Sequence, residues 1–170
     1  MTNNSIQLAQ QLGEHLQQLG WSVTCAESCT GGGIGYAITS TSGSSSWFKS
    51  GYITYSNEAK QVMLGVSEQT LNEHGAVSQP VVEQMAMGAT KAAGANVAVS
   101  VSGIAGPDGG SDEKPVGTVW FGFSVNGEIT TSCQCFSGDR HQVRDQAIEY
   151  ALNQLVTRCK TESLPSSGKL

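Results

Sequence analysis

The sequence has few charged residues and no cluster of basic ones. Charged side chains make up 14% of the 170 residues, against about 25% in a typical globular protein. The 9 lysines and arginines are outnumbered by 14 aspartates and glutamates, which gives a formal net charge of −5. Because phosphate-backbone binding requires clustered basic side chains, we expect no nucleic-acid partner.

Long apolar runs are also missing. Residues 1–21 contain neither a basic flank nor an apolar stretch long enough for a signal peptide or a membrane span. The chain is therefore expected to be cytoplasmic, with no membrane partner. In that reducing compartment the five cysteines, which include no C-x-x-C pair, are expected as buried residues or reactive thiols rather than as a disulfide framework.

The sequence lacks the common motifs for metals and nucleotide cofactors. Its three histidines and five cysteines show none of the paired spacings that zinc sites use. A P-loop and a complete G-x-G-x-x-G are absent as well. We therefore expect a metal-independent protein that needs no ATP or NAD as a cofactor.

Apolar residues and glycine are what the chain has in quantity. It is 38% hydrophobic and contains 21 glycines, a composition within the globular range. A chain of this length fits one ordinary domain with its own core. We predict a single domain over residues 1–160, followed by a polar, disordered tail at residues 161–170.

Helical and strand patterns alternate along the first hundred residues. Apolar residues at three- and four-residue spacing predict a helix from about residue 3 to a stop at Gly20. A short β-prone run then leads into a glycine turn at residues 27–33. By the same criteria, further helices are predicted at 34–38, 56–64, 67–74 and 79–94, and strands at 21–26, 51–55 and 97–102.

The C-terminal third predicts a hairpin and a last helix. The segments 118–125 and 128–136 flank Asn126-Gly127, a strong signal for a two-residue hairpin turn. Asp139 and Gln142 have the spacing of a capping box, for a helix that ends near Lys160. The whole pattern predicts a three-layer α/β/α sandwich around a mixed, mainly parallel sheet with one antiparallel hairpin.

Two glycine-containing loops follow predicted strands, where ligands gather in open α/β sheets. In the first, Ser28 could act as a nucleophile, and the backbone N–H groups of Thr30, Gly31 and Gly32 could bind a developing oxyanion. An ordinary tight turn, with Ser28 or Thr30 as a helix cap, fits these residues equally well. In the second loop, 103–110, backbone N–H groups could form an anion-binding nest.

A serine nucleophile needs a base, and none of the three histidines lies in a recognisable motif. Lys60 falls near the first turn of its predicted helix, where the helix dipole and desolvation would lower the pKa of an amine. A partly neutral lysine could accept the serine proton. Taken alone, however, most helical lysines are solvated. Cys29 offers an alternative nucleophile, because a helix N-terminus lowers thiol pKa, although a buried inert cysteine is the favoured interpretation.

Seven short motifs occur in order along the chain and span most of it, from about residue 24 to residue 140. They are AESCTGG (26–32), GSSSWF (43–48), GYITYSNEAK (51–60), LGV (64–66), HGAVS (74–78), SGIAGPDGG (102–110) and KPVGTV (114–119). Together, and in this order, they resemble the CinA C-terminal domain family.

This resemblance implies deamidation of a nucleotide substrate, nicotinamide mononucleotide, to nicotinate mononucleotide and ammonia. It implies a metal-independent Ser–Lys pair at Ser28 and Lys60, with Tyr55 as a helper, on a three-layer α/β/α fold. Tyr55 could instead be an ordinary strand aromatic. A homodimer is also expected, as for many small α/β enzymes.

The substrate phosphate needs partners of its own. Arg140 at the start of the last helix could clamp it, or could pair with Asp139 or Asp145 at the surface. Two other functions remain open: a Ser–Lys amidase for a different amide, and a nucleotide-sensing module without catalysis. The remaining substrate-binding residues are expected in the second loop, at Gly103, Ala105, Gly106, Gly109 and Gly110.

Overall fold

A five-stranded mixed sheet forms the middle of the fold. The computed structural model describes residues 1–163, and the strands lie in the order β2-β1-β3-β4-β5. β4 alone runs against the other four strands, which confirms a mixed, mainly parallel sheet with an antiparallel hairpin. The strands are β1 (Val23–Glu27), β2 (Tyr52–Ile53), β3 (Val97–Gly103), β4 (Thr118–Val125) and β5 (Glu128–Cys135).

Helices cover both faces of this sheet. α1, α2 and α6 pack with the sheet in one apolar cluster, and α3, α4 and α5 pack in a second cluster on the opposite face, which confirms the three layers. None of these helices is long and apolar enough to cross a membrane. They are α1 (Asn3–Leu19), α2 (Gly33–Thr39), α3 (Asn57–Leu64), α4 (Glu68–His74), α5 (Gln79–Ala93) and α6 (Arg140–Ser163), with a 3-10 turn at Ser44–Ser46.

Local capping explains where the helices begin and end. α1 ends at Gly20 in a left-handed conformation (φ 66°), which glycine adopts without steric cost. At the start of α6, Gln142 N–H donates to Asp139 Oδ1 (2.9 Å) and Asp139 N–H donates to Gln142 Oε1 (2.8 Å). This reciprocal pair is the predicted capping box.

Several boundaries differ from the predicted ones by one to three residues, among them those of β2 and α6. β2 has two residues instead of five, because the Thr54 N–H makes the last bond to β1, at the Glu27 carbonyl oxygen, and Ser56 already caps α3. α6 continues to Ser163, three residues beyond the predicted end. The remaining part of the predicted tail, residues 164–170, lies outside the described residues.

The fold brings the ends of two parallel central strands together. β1 pairs with β3 in register from Val23–Val97 to Glu27–Val101, so the carboxyl ends of both strands open at the same edge of the sheet. The predicted nucleophile loop follows β1, and the second glycine-containing loop follows β3. α3 follows β2 in the chain, begins at this edge and packs against α5.

Gly88 permits this close approach of α3 and α5. A Cβ atom at Gly88 would overlap the carbonyl oxygen of Leu64, the last residue of α3. We expect Gly88→Ala to lower the free energy of unfolding by about 1–3 kcal/mol, the usual cost of overpacking. Urea unfolding measures this change.

Gly35, in α2, is the matched control for that measurement. A Cβ there would lie 3.7 Å from the nearest atom, Glu27 Oε2, which is ordinary contact. Gly35→Ala is expected to be neutral or to stabilise by up to about 1 kcal/mol, because alanine favours the helix. Equal stability of the two variants would contradict the proposed role of Gly88.

Candidate active site

A pocket of about 230 Å³ opens where β1 and β3 end. Its walls come from four segments that are distant in sequence. They are the turn after β1 (Ser28, Cys29), the start of α3 with the residues before it (Tyr55, Asn57, Lys60), the loop before α5 (Ala76, Val77), and the end of β3 with the first residues after it (Ser102, Gly103, Ala105); Arg140 of α6 closes the rim.

Ser28 is held at the end of β1 by the sheet itself. Its N–H donates to the Val101 carbonyl oxygen at 3.0 Å, which extends the β1–β3 pairing by one residue. The side chain is 7% exposed, and its hydroxyl lies 3.1 Å from Lys60 Nζ. The backbone of the candidate nucleophile is therefore fixed, while its oxygen faces the pocket.

Lys60 is almost completely buried, with 1% of its surface exposed. Besides Ser28, its Nζ contacts the carbonyl oxygens of Thr54 (2.9 Å) and Tyr55 (3.1 Å). Within residues 1–163 the amine makes no ion pair, since the salt bridges there join other groups. Burial without a carboxylate partner lowers the pKa of Lys60.

The three contacts of Lys60 suit a neutral amine. A neutral amino group has two N–H bonds and one lone pair, and a carbonyl oxygen can only accept. If the two N–H bonds are given to Thr54 and Tyr55, the lone pair is directed at Ser28 Oγ. This arrangement places a proton acceptor, the lone pair of Lys60 Nζ, against the hydroxyl of Ser28.

Cys29 also lines the pocket, and it is 5% exposed. Desolvation raises the pKa of its thiol to about 11, so the thiolate is disfavoured at neutral pH. A buried unreactive cysteine is what the sequence favoured. The Cys29 carbonyl oxygen accepts from Arg144 Nε at 3.1 Å.

Thr30, Gly31 and Gly32, the predicted oxyanion residues, lie beside this pocket rather than in its lining. They line a neighbouring cleft of about 440 Å³ with His141 and Arg144. The Thr30 hydroxyl donates to Glu27 Oε1 (2.7 Å) and the Gly31 N–H donates to the Ser28 carbonyl oxygen (3.1 Å). The structure thus brings Ser28 and Lys60 together, and it turns these three residues toward the second cleft.

The loop after β3 contributes only its first part to the pocket. Gly103 and Ala105 line the pocket, and the Gly106 carbonyl oxygen accepts from Arg140 Nη1 at 2.8 Å. Gly109 and Gly110 lie against Ile104 and Val116, respectively, outside the lining.

Arg140 and Tyr55 meet at the rim. Arg140 Nη2 donates to Tyr55 Oη at 3.3 Å, and 63% of the Tyr55 surface is exposed. Tyr55 contacts Lys60 through its carbonyl oxygen and not through its hydroxyl. Asp145, one of the partners considered for Arg140, is paired instead with the N-terminal ammonium at 3.2 Å.

Sequence reasoning missed several residues around the pocket. A charged residue at the end of a short β-prone run was the available signal for Glu27. Ser102 is the first residue of the motif SGIAGPDGG but was given no role, and nothing in the sequence marks Arg144. No group of three or more His, Cys, Asp or Glu side chains in the described part of the chain is placed to hold a metal ion.

The sequence matches the CinA C-terminal domain family over residues 5–159. "Nicotinamide-nucleotide amidohydrolase PncC" from Escherichia coli (strain K12) is 60% identical over 157 residues, which cover 91% of this chain and 95% of the relative. The protein of the same name from Pseudomonas putida is 54% identical, with 88% and 93% covered.

A solved structure has the same fold. The competence damage-inducible protein A from Klebsiella pneumoniae subsp. pneumoniae MGH 78578 superposes with a TM-score of 0.90 at 40% sequence identity. The match covers 93% of this chain and 98% of that one.

Proposed function

Because the chain belongs to the CinA C-terminal domain family, we propose that it is a nicotinamide-nucleotide amidohydrolase with a Ser28–Lys60 dyad. It hydrolyses the carboxamide of nicotinamide mononucleotide to nicotinate mononucleotide and ammonia. The names of its relatives support the substrate class. One observation supports the dyad: Lys60 Nζ lies 3.1 Å from Ser28 Oγ in a buried setting.

In the first half-reaction Ser28 Oγ attacks the carboxamide carbon while its proton moves to Lys60 Nζ. The tetrahedral intermediate then collapses, the C–N bond breaks, and Lys60 returns the proton to the leaving nitrogen. Ammonia departs, and the nicotinoyl group of the nucleotide remains as an ester on Ser28. The carbonyl oxygens of Thr54 and Tyr55 stabilise the transient ammonium.

In the second half-reaction water attacks the ester carbon. Lys60 accepts a proton from this water and then gives one to the departing Ser28 Oγ, so the dyad returns to its starting state. Nicotinate mononucleotide is released. Each half-reaction uses Lys60 first as base and then as acid, which requires a pKa nearer to the working pH than that of a solvated lysine.

Both half-reactions place negative charge on the former carbonyl oxygen. Of the three predicted donors, the Gly31 N–H already donates to the carbonyl oxygen of Ser28. Within residues 1–163 the Thr30 and Gly32 N–H groups have no backbone acceptor. Both residues line the neighbouring cleft and not the Ser28 pocket, so the proposal keeps them as oxyanion donors that act across the turn between the two cavities. Losing one such donor typically costs about 100- to 1,000-fold in rate.

Arg140 is the proposed ligand of the 5′-phosphate. Its guanidinium lies on the rim and is oriented by the Gly106 carbonyl oxygen and the Tyr55 hydroxyl. A guanidinium can bind phosphate through two parallel hydrogen bonds. The contact to Arg140 supports a role for Tyr55 in orienting this group, rather than in moving protons for Lys60.

Ammonia release from three substrates tests the function: nicotinamide mononucleotide, nicotinamide riboside and nicotinamide. We expect kcat/KM at least about tenfold higher for the mononucleotide than for the riboside, since a hydrogen bond to a charged group contributes about 1.5–3 kcal/mol. Arg140→Gln should reduce this ratio and leave riboside hydrolysis nearly unchanged.

Two other results would each favour an alternative. Equal rates with riboside and mononucleotide would point to an amidase for a different amide. Tight binding of the mononucleotide without ammonia release over hours would indicate a nucleotide-sensing module.

A further inference from the structure

Glu27 carries a buried acidic group directly before the candidate nucleophile. It is the last residue of β1, whose five residues are all buried, and 1% of its own surface is exposed. Burying a carboxylate is costly unless hydrogen bonds replace its hydration. The position of Glu27 in a fully buried strand therefore requires a specific set of hydrogen-bond partners.

Those partners come from the turn after Ser28 and from the start of α2. Oε1 accepts from Thr30 Oγ1 (2.7 Å) and from the Ile34 N–H (2.9 Å), and Oε2 accepts from the Gly35 N–H (3.1 Å). Oε2 also accepts a longer bond from the Cys25 thiol of β1 (3.5 Å). The N-cap of α2, Gly32, has no side chain to accept the N–H bonds of this helix. The glutamate thus caps α2 from the neighbouring strand and encloses Ser28 between its two anchor points.

The same bonds occupy both oxygens of the Glu27 carboxylate. Glu27 and Lys60 are the buried acidic and basic side chains of the described residues, and each lies next to Ser28 in sequence or in space. No ion pair joins them within residues 1–163. A carboxylate in contact with Lys60 would favour its charged form and remove it as a base.

We propose that Glu27 is a positioning residue: its carboxylate ties Thr30 and the first turn of α2 to the end of β1, and so holds Ser28 Oγ against Lys60 Nζ. This inference rests on the proposed function. It adds a residue that touches neither substrate nor Lys60 and acts through the turn that carries the nucleophile.

Glu27→Gln tests the role of the carboxylate at nearly constant size. The amide retains one acceptor oxygen and presents an NH₂ group to donors, so at least one bond to the turn or to α2 is lost. We expect kcat to fall by about tenfold or more, because a displacement of about 1 Å can cost on the order of 100-fold. KM should stay within about twofold, since substrate contacts remain.

Thr30 provides a milder variant pair if Glu27→Gln folds poorly. Thr30→Val removes the hydroxyl that donates to Oε1, whereas Thr30→Ser keeps it. We expect kcat to be lower in the valine variant than in the serine variant. Both variants keep the backbone N–H of residue 30, so the difference between them reports the side-chain bond to Glu27. Glu14→Gln, at an exposed position of α1, is the control for loss of a negative charge.

A fluorophosphonate probe provides a readout independent of the amide substrate. It phosphonylates an activated serine with release of fluoride, so its labelling rate reports the reactivity of Ser28. Labelling per folded molecule should fall with kcat in Glu27→Gln and Thr30→Val. Unchanged kcat and unchanged labelling in both variants would overturn the role of Glu27 while leaving the dyad intact. A wild-type chain that neither releases ammonia nor labels at Ser28 would overturn both proposals.

Discussion

Replacing Ser28 with alanine is expected to reduce kcat by on the order of 10⁴-fold or more, the scale seen when a nucleophile is removed from a serine hydrolase. The methyl group has no lone pair to attack the carboxamide carbon, so the acyl-enzyme cannot form. Binding of nicotinamide mononucleotide should persist, because Arg140 and the pocket walls remain. Steady-state ammonia release measures the loss, and calorimetric titration measures the binding.

Cys29→Ala is the matched control for Ser28→Ala. Cys29 is adjacent to Ser28 and lines the same pocket, but the pKa of its thiol is raised by burial to about 11. We expect this variant to keep kcat within about threefold of wild type, as for a buried residue that takes no part in the chemistry. Loss of activity in Cys29→Ala with retention in Ser28→Ala would make the cysteine the nucleophile.

Trapping the intermediate separates covalent catalysis from direct attack by water. Acid quenching during turnover should preserve the ester on Ser28, and mass spectrometry of the intact chain should detect the added nicotinate mononucleotide acyl group. Ser28→Ala should show no adduct. Wild-type turnover with no adduct under any quench condition would argue for a direct hydrolytic mechanism.

The parts of the fold that depend on local chemistry could be predicted from the sequence. The Asn126-Gly127 turn has the positive φ values that the hairpin requires, 50° and 87°, and the capping box at Asp139 and Gln142 forms as expected. In both cases residues close in sequence determine the outcome. The length of β2 was less predictable, because it depends on where pairing with β1 stops.

The candidate site, too, was only partly predictable from the sequence. Ser28 and Lys60 were predicted through the family resemblance, and the structure places them in contact. The direction of the Thr30 side chain and of the Gly31 N–H depends on backbone dihedral angles in the turn, which the sequence does not specify. The sequence therefore indicated the right loop, but it did not show that the Thr30 hydroxyl and the first N–H groups of α2 donate to Glu27.

The burial of Lys60 is also a property of the tertiary structure. A lysine near a helix N-terminus is usually solvated, and nothing within α3 excludes water from it. The amine is buried instead by contacts outside α3, with Ser28 after β1 and with the carbonyl oxygens of Thr54 and Tyr55. Sequence reasoning could identify a lysine suited to act as a base, but only the packed structure shows why its pKa is lowered.

Replacing Lys60 should be nearly as damaging as replacing Ser28. Lys60→Met, which keeps the length of the side chain without the amine, is expected to lower kcat by about 10²- to 10⁴-fold, the usual contribution of general acid–base catalysis. Lys60→Arg should be similarly inactive, because a guanidinium stays protonated and cannot accept the serine proton. Wild-type turnover in either variant would remove Lys60 from the mechanism.

The pH dependence of activity supplies an independent test of the same base. Only the neutral amine can accept the proton of Ser28, so kcat/KM should rise with pH through the pKa of Lys60. Burial lowers that pKa, which puts the midpoint of this acidic limb below the range of an ordinary lysine. A midpoint in the range of a solvated lysine would contradict the neutral-base mechanism.

The pH dependence of the free energy of unfolding should also report the lowered pKa of Lys60. The unfolded chain binds the Lys60 proton more tightly than the folded chain, whose pKa is lowered by burial. The free energy of unfolding should therefore rise with pH between the folded and the unfolded pKa values, as linkage requires. Urea unfolding of wild type and Lys60→Met across this window should show that the variant lacks this contribution to the slope. Since this measurement needs no substrate, equal slopes would show that Lys60 is not held neutral by the fold, whatever amide the chain hydrolyses.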